Sequence, residues 1–236
     1  MIEHIHQTIE GWCSIEQQQL YTQIVDSLPS DSPTHIVEIG CWKGKSTSYM
    51  AVEIANSGKP IRFDAIDHFK GSPEHHNNLA PLNPSILALQ SFTTFNEYQN
   101  NIKPVAQYVN TVVQSSSIAV LKYENESLDF VFIDGSHDYD SVREDILNWL
   151  PKIKPGGMIA GDDYSNEWSG VMKAVDEQFQ EIVMLDKTIW SYVKKPNVAS
   201  IEPTFNIKYQ TDQYLSINSN HDLTIESAYI LSIEGN

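Results

Sequence analysis

Cysteine is nearly absent from this chain: its 236 residues include two, Cys13 and Cys41. That leaves no disulfide framework and no cysteine-type zinc site, so both read as reduced, structural thiols. Cationic side chains are scarce too, 15 Lys and Arg against 31 Asp and Glu, for a net charge of −16. Such a field repels a nucleic-acid backbone, and no run of basic residues offsets it locally, so no nucleic-acid partner is expected. Apolar runs are short, Phe130 to Ile133 and Ile182 to Leu185 being typical, against the ~20 residues of a membrane span. No membrane partner is expected either. The start, Met1-Ile2-Glu3-His4, has neither the basic nor the apolar region of a secretory signal, so the expected location is cytoplasmic. Repeats and low-complexity runs are also missing.

What remains is the composition of a folded domain. Apolar residues make up 41% and charged residues 19%, which fits neither disorder nor a coiled coil. The length suits one α/β domain with a modest appendage. Trp12, Ile15, Leu20, Ile24 and Leu28 recur at helical spacing up to Pro29, predicting an N-terminal helical cover over residues 1–30. Beyond the turn at 30–33, His35 to Ile39 reads as a buried strand and Lys45 to Asn56 as a helix. Ile61 to Ile66 reads as a second strand finishing at Asp67. This β-α-β unit predicts a parallel sheet.

Residues 68–104 are rich in Asn, His, Pro and Ser and are expected to form a lid, with a helical piece around Phe92 to Asn101. Further strands are expected at Val109 to Val113, Leu128 to Ile133 and Met158 to Gly161, with a short helix at Ser117 to Tyr123. A helix capped by Asp140 or Ser141 would follow the second of these strands, carrying Val142, Ile146 and Leu150 on one stripe. Val171 to Phe179 reads as helix, and Ile182 to Leu185 with Thr188 to Val193 as a closing hairpin. The core domain is therefore placed at 31–195. Past it, Phe205, Ile207 and Tyr209, then Leu223, Ile225, Tyr229, Leu231 and Ile233, alternate with polar neighbours. Residues 196–236 are expected to form a β-rich appendage, extending the sheet or making a subunit contact in a homo-oligomer.

Two constellations carry chemistry. The first is Glu38-Ile39-Gly40-Cys41-Trp42-Lys43-Gly44-Lys45-Ser46, an acid and two glycines at a strand-to-helix turn. There the backbone can approach a nucleoside-like ligand and the helix start offers free N–H groups. A dinucleotide fingerprint would need a glycine where Trp42 stands. A phosphate-binding loop needs four residues between Gly40 and Gly44-Lys45, and there are three. Asp67, at the end of the next strand, is placed to accept ribose hydroxyls. The second constellation is Asp134 and His137 after one strand and Asp162-Asp163 after another. Ligands of open α/β sheets bind at the carboxyl ends of strands. Three carboxylates converging there call for a hard cation, Mg²⁺ or else Mn²⁺ or Ca²⁺, rather than zinc. His137 is then a candidate general base. Asp138 and Asp140 read as helix caps, and His75-His76 and His4-x-His6 as surface residues.

The turn, Glu-x-Gly-x-x-x-Gly, resembles motif I of the class I S-adenosylmethionine-dependent methyltransferases. From Gly11-Trp12 to Phe179 the chain is similar to one group within them. The matching stretches are Gly11-Trp12-Cys13-Ser14-Ile15-Glu16, Val37 to Thr47, Asp129 to Tyr139 and Pro155 to Tyr164. That group contains macrolide-sugar and cephamycin-pathway O-methyltransferases, and resembles catechol O-methyltransferases in site logic. The resemblance implies an α/β fold with a doubly wound, seven-stranded Rossmann-like methyltransferase sheet. It implies S-adenosylmethionine held by Glu38, Gly40, Gly44, Asp67, Ser116 and Asp134. It makes Asp134, Asp162 and Asp163 the Mg²⁺ ligands and His137 the base toward a small-molecule hydroxyl on a sugar, polyketide or phenol. Many relatives carry Gly-His-Asp-Tyr where this chain has Gly161-Asp162-Asp163-Tyr164, and often an acid where Ser115 stands. Two rival functions are a P-loop-like NTPase and a non-catalytic cofactor-binding or assembly protein.

Overall fold

The computed structural model describes residues 1–71 and 84–196, side chains of 84–92 excepted. The strands expected beyond residue 196, the pair His75-His76 and the middle of the expected lid lie outside the described residues. Helix α1 (Ile15–Ser27) starts where the Ser14 hydroxyl accepts the Gln17 N–H at 3.0 Å, and stops before Pro29. Its buried stripe is Gln17, Leu20, Tyr21, Ile24 and Val25. Trp12 and Ile15, expected on that stripe, point outward instead, because the chain enters the helix only after Ser14. Strand β1 (Thr34–Ile39) leads into α2 (Lys45–Ser57), which is bounded by Gly44 and Gly58, both left-handed. Then come β2 (Ile61–Asp67), α3 (Pro84–Ile102), β3 (Asn110–Val113) and the short α4 (Ser116–Ala119).

Strand β4 (Leu128–Ile133) is followed by α5 (Tyr139–Trp149), whose cap is Asp138, one of the two acids read as caps, and not Asp140 or Ser141: its carboxylate accepts the Ser141 N–H at 3.0 Å. Strand β5 (Ile153–Gly161) begins five residues before the expected Met158. The sequence signal was obscured by Pro155-Gly156-Gly157, which form a bulge: β4 pairing jumps from Leu128–Ile153 to Phe130–Met158. Helix α6 (Ser169–Gln178) and the antiparallel pair β6 (Val183–Met184) and β7 (Trp190–Val193) complete the unit.

The sheet has seven strands in the order β3-β2-β1-β4-β5-β7-β6, the first five parallel. Strand order reverses between β1 and β4, the place where such sheets open a ligand crevice. One face is covered by α1, α2 and α3 through Tyr21, Met50, Tyr98 and Ile102 packed on Phe63, Phe130 and Phe132. The other face is covered by α4, α5 and α6 through Trp149, Ile146 and Val175 packed on Val37, Val131 and Ile159. Phe69, Tyr98 and Ile102, within the segment expected as a lid, are core residues.

Asp64 ties the start of the sheet together. Its fully buried carboxylate accepts from His35 Nε2 at 2.9 Å, Arg62 Nε and Nη2 at 3.0 Å, Asn110 Nδ2 at 2.9 Å and Tyr123 OH at 2.7 Å. Burial alone would raise its pKa, but those donors hold it well below the usual carboxylate range. Asp64→Ala would orphan donors on β1, β3 and the segment before β4. It is expected to cost about 3 kcal/mol, roughly 6–12 °C in a melting experiment. Arg62→Ala, on a side chain that is 62% exposed, should cost less than about 1 kcal/mol. Equal losses would remove Asp64 from this role.

Candidate active site

The glycine turn sits at the reversal of strand order. Asp134 N–H donates to Ile39 O at 2.8 Å and Gly40 N–H to Ile66 O at 2.9 Å, so the ends of β1, β2 and β4 are laced together. Gly40 has φ +87°, and a Cβ there would lie 1.9 Å from the Asp134 carbonyl oxygen. Only glycine permits that approach. Gly44, at φ +85°, faces α3, where a Cβ would meet Ile102 at 2.8 Å. Packing, before any ligand, thus demands both glycines.

The two strand-end acids support the turn from within. Asp67 Oδ2 accepts the N–H groups of Cys41 and Trp42 at 2.9 and 2.8 Å, and Oδ1 accepts that of Phe69 at 2.6 Å. Glu38 is buried and accepts from Tyr21 OH at 3.0 Å and from the Thr47 hydroxyl. Gln17 Nε2 in turn donates to Tyr21 OH at 3.2 Å, which keys α1 to the turn. Burial raises the Glu38 carboxyl pKa, and the hydroxyl donors counter that rise. Lys45, the residue a phosphate loop would use, donates its Nζ to Gly11 O at 3.0 Å. Ser116 accepts from Trp149 Nε1 at 2.7 Å, so part of its hydroxyl's bonding capacity is spent holding α5.

Beyond β4 and β5 the structure brings Asp134, His137 and Asp163 together: one ligand atom from each lies within 4.8 Å of the others. His137 Nε2 is 2.9 Å from Asp163 Oδ2, and its ring lies 4.1 Å from that of Trp168. Asp134 is pushed well up by burial first, then by the charges of Asp162, Asp163 and Glu38. Asp162 is not in the cluster. Its Oδ1 accepts the Asp163 N–H at 2.7 Å, and its side chain bonds Thr188. Asp163 takes a left-handed backbone, φ +64°. Of the expected trio of Asp134, Asp162 and Asp163, the structure groups the first and third with His137, while Asp162 lines the same pocket. Two carboxylates and an imidazole facing one another suit a divalent cation, whose charge would relieve their repulsion.

Sequence reading missed Asp145. Its carboxyl is buried on α5, bonds Ser116, and lies 4.0 Å from the point where a Cβ of Gly135 would be. It therefore joins the loop after β3 to the loop after β4. Burial, reinforced by Glu144 and Asp138, pushes it up to about 7 against the Ser116 bond. A signal was present: Asp145 and Trp149 are four apart, alongside the stripe of Val142 and Ile146.

A family model described as a methyltransferase domain matches residues 37–164, just over half of the chain. The chain belongs to that family. This methyltransferase-family chain shares its fold with the O-methyltransferase NovP, at TM-score 0.60 and 18% identity over 77% of this chain and 81% of that one. It also shares it with cofactor-bound Rv0187 from MTB, at 0.55 and 15% over 81% and 87%. A precorrin 8w decarboxylase of Methanobacterium thermoautotrophicum has the fold too, at 0.50 and 16% over 81% and 97%. These likenesses concern fold alone. Among curated relatives, uncharacterized protein R132 of Acanthamoeba polyphaga mimivirus is 26% identical over 67% of this chain. Uncharacterized protein y4gI of Sinorhizobium fredii is 28% identical over 37%. The methyltransferase spans 65% and 8% of their lengths, respectively. Family membership and the engagement of Lys45 displace the P-loop reading. Among the described residues no helix is long and apolar enough to cross a membrane.

Asp145 makes a pH prediction for this methyltransferase. A carboxyl raised from the ordinary value to about 7 keeps its proton in the folded chain where the unfolded chain has lost it. Its contribution to stability is therefore full below about pH 4 and falls as pH rises to about 7. Asp145→Asn should remove that slope, so its melting temperature relative to the parent should climb between pH 4 and 7 and then level. A constant offset across that range would show that Asp145 does not titrate there.

Proposed function

We propose that this methyltransferase acts on a hydroxyl of a small molecule, with a divalent cation, Mg²⁺ or else Mn²⁺ or Ca²⁺, beside the reacting oxygen and His137 as the general base. One observation carries the reading: Asp134, Asp163 and His137 converge at the strand ends next to the glycine turn after β1. A weakly acidic hydroxyl gains most from such a cluster, because a cation held there would lower its pKa and a neighbouring base would take its proton.

When bound, S-adenosylmethionine supplies a methyl group already activated on a sulfonium. The backbone around Gly40 and Gly44, with Asp67, Ser116, Asp134 and Glu38, would hold it. A cation on Asp134 and Asp163 would supply positive charge that lowers the pKa of a nearby hydroxyl. His137 then takes the hydroxyl proton. Asp163, 2.9 Å from Nε2, balances the imidazolium charge, while Trp168 fixes the plane of the ring. Asp162 braces the left-handed turn through the Asp163 N–H. The chain's residues mainly position the oxygen, because transfer of an activated methyl depends on an in-line nucleophile at short distance.

Calorimetric titration with S-adenosylhomocysteine, with Mg²⁺ and then with excess chelator, tests the cofactor half. Saturable binding in both conditions is expected, since the cation belongs to the acceptor side. The chemical half is tested by His137→Ala, which should leave Mn²⁺ affinity, read by titration, within about twofold. Turnover of any accepted phenol should fall by about 100-fold or more. Loss of Mn²⁺ affinity in that variant would make the imidazole a ligand and strip it of its role as base.

A further inference from the structure

Helix α5 reaches the glycine turn from two sides. Asp145 and Trp149, one turn apart on its inner face, are both buried. The Trp149 Nε1–H donates to Ser116 Oγ at 2.7 Å, at the loop after β3. Two residues earlier, the Gln114 N–H donates to Asp67 O at 3.1 Å, and the Asp67 carboxylate holds the amides of Cys41 and Trp42. On the other side, Asp145 Oδ2 lies 4.0 Å from the point where a Cβ of Gly135 would be, and Gly135 Cα lies 2.9 Å from the corresponding point on Gly40. The contacts form a ring. It runs from α5 through the loop after β4 to the start of the turn, and back to α5 through the end of β2 and the loop after β3.

Hydrogen-bond capacity decides what Ser116 can do. A hydroxyl has one proton to donate and two lone pairs. One lone pair takes the indole N–H, and the Asp145 carboxyl bonds the same residue. Ser116 is thus a joint between loop and helix, with little of its side chain left for a ligand. The indole is held in orientation by Tyr123, whose ring stands against it at 4.9 Å and 60° and whose hydroxyl is fixed on Asp64 at 2.7 Å. A buried donor or carboxyl that loses its partner is costly. Both α5 residues therefore resist any change in the distance between Ser116 and Gly135.

Resting on the cofactor reading proposed above, we infer that Asp145 and Trp149 are positioning residues of the cofactor cleft: acting through Gly135 and Ser116, they set the separation of the two loops between which S-adenosylmethionine is held. Neither touches the cofactor or the acceptor. Cofactor affinity thereby depends on a helix packed on one face of the sheet, behind the strand ends.

The test titrates S-adenosylhomocysteine into the full chain by calorimetry. Trp149→Phe, which keeps a buried ring and removes the N–H, is expected to weaken binding about tenfold. Ser116→Ala should do the same, and the double variant should stay within about twofold of either single one, since both break one bond. Asp145→Ala should lose about tenfold and Asp145→Asn should recover most of it. Phe179→Leu is the control for stability alone: Phe179 is buried against Tyr192, with ring centroids 4.5 Å apart, at the end of α6. It should lower the melting temperature and leave S-adenosylhomocysteine affinity within about twofold. An equal loss of affinity in that control would reduce the effect to general loosening and overturn the assignment. Affinity indifferent to Trp149→Phe and Asp145→Ala, or losses that add in the double variant, would overturn it too, and both outcomes leave the cofactor reading standing. Melting curves show which variants are folded at the titration temperature. Where Trp149→Phe is not, Ser116→Ala and the comparison of Asp145→Asn with Asp145→Ala decide. Failure of S-adenosylhomocysteine to bind the parent would overturn the cofactor reading and this inference together.

Discussion

The contact on which the site depends is the approach of two backbones at the reversal of strand order. Gly40 passes so close to the Asp134 carbonyl that a single methyl group would overlap it. The Asp134 N–H is spent on Ile39. Those contacts fix the glycine turn against the start of the loop that carries Asp134 and His137. The remaining elements reinforce this junction: Glu38 and Tyr21 from below, Asp67 through the amides of Cys41 and Trp42, and Asp145 with Ser116 on the far side.

Acidity, the dominant feature of the composition, divides into two uses. Asp64 and Asp67 are surrounded by donors and work as mortar, one at the start of the sheet and one at its functional end. Asp163 has the His137 imidazole at 2.9 Å, while burial and the neighbouring carboxylates push Asp134 up toward keeping its proton. The same side chain type is structural or chemical according to how many N–H and O–H groups surround it. Counting carboxylates could not separate the two.

Strand positions were legible because buried parallel strands write short β-branched and aromatic runs, as in Phe130 to Ile133. Their ends were legible because acids and glycines punctuate them. β5 was read short, since a proline and two glycines look like a turn when a bulge has absorbed them. Trp12 and Ile15 were assigned to a buried stripe because periodicity counts residues and ignores where a cap starts the helix. Asp162 and Asp163 are adjacent and chemically identical. The fold, and not residue type, pairs His137 with Asp163.

By itself the sequence determined the alternation of strands and helices, the glycine turn and the acids at strand ends. All three rest on local rules of periodicity, backbone freedom and residue chemistry. Tertiary structure decided which side chains meet. Asp67 turned inward to amides, Lys45 toward Gly11, Asp145 beneath Gly135 and Trp12 onto Trp42 are pairings between residues 25 to 34 apart or on separate elements. No local rule reaches that far, because the partner of a buried polar group or an aromatic ring is chosen by the packing of whole elements.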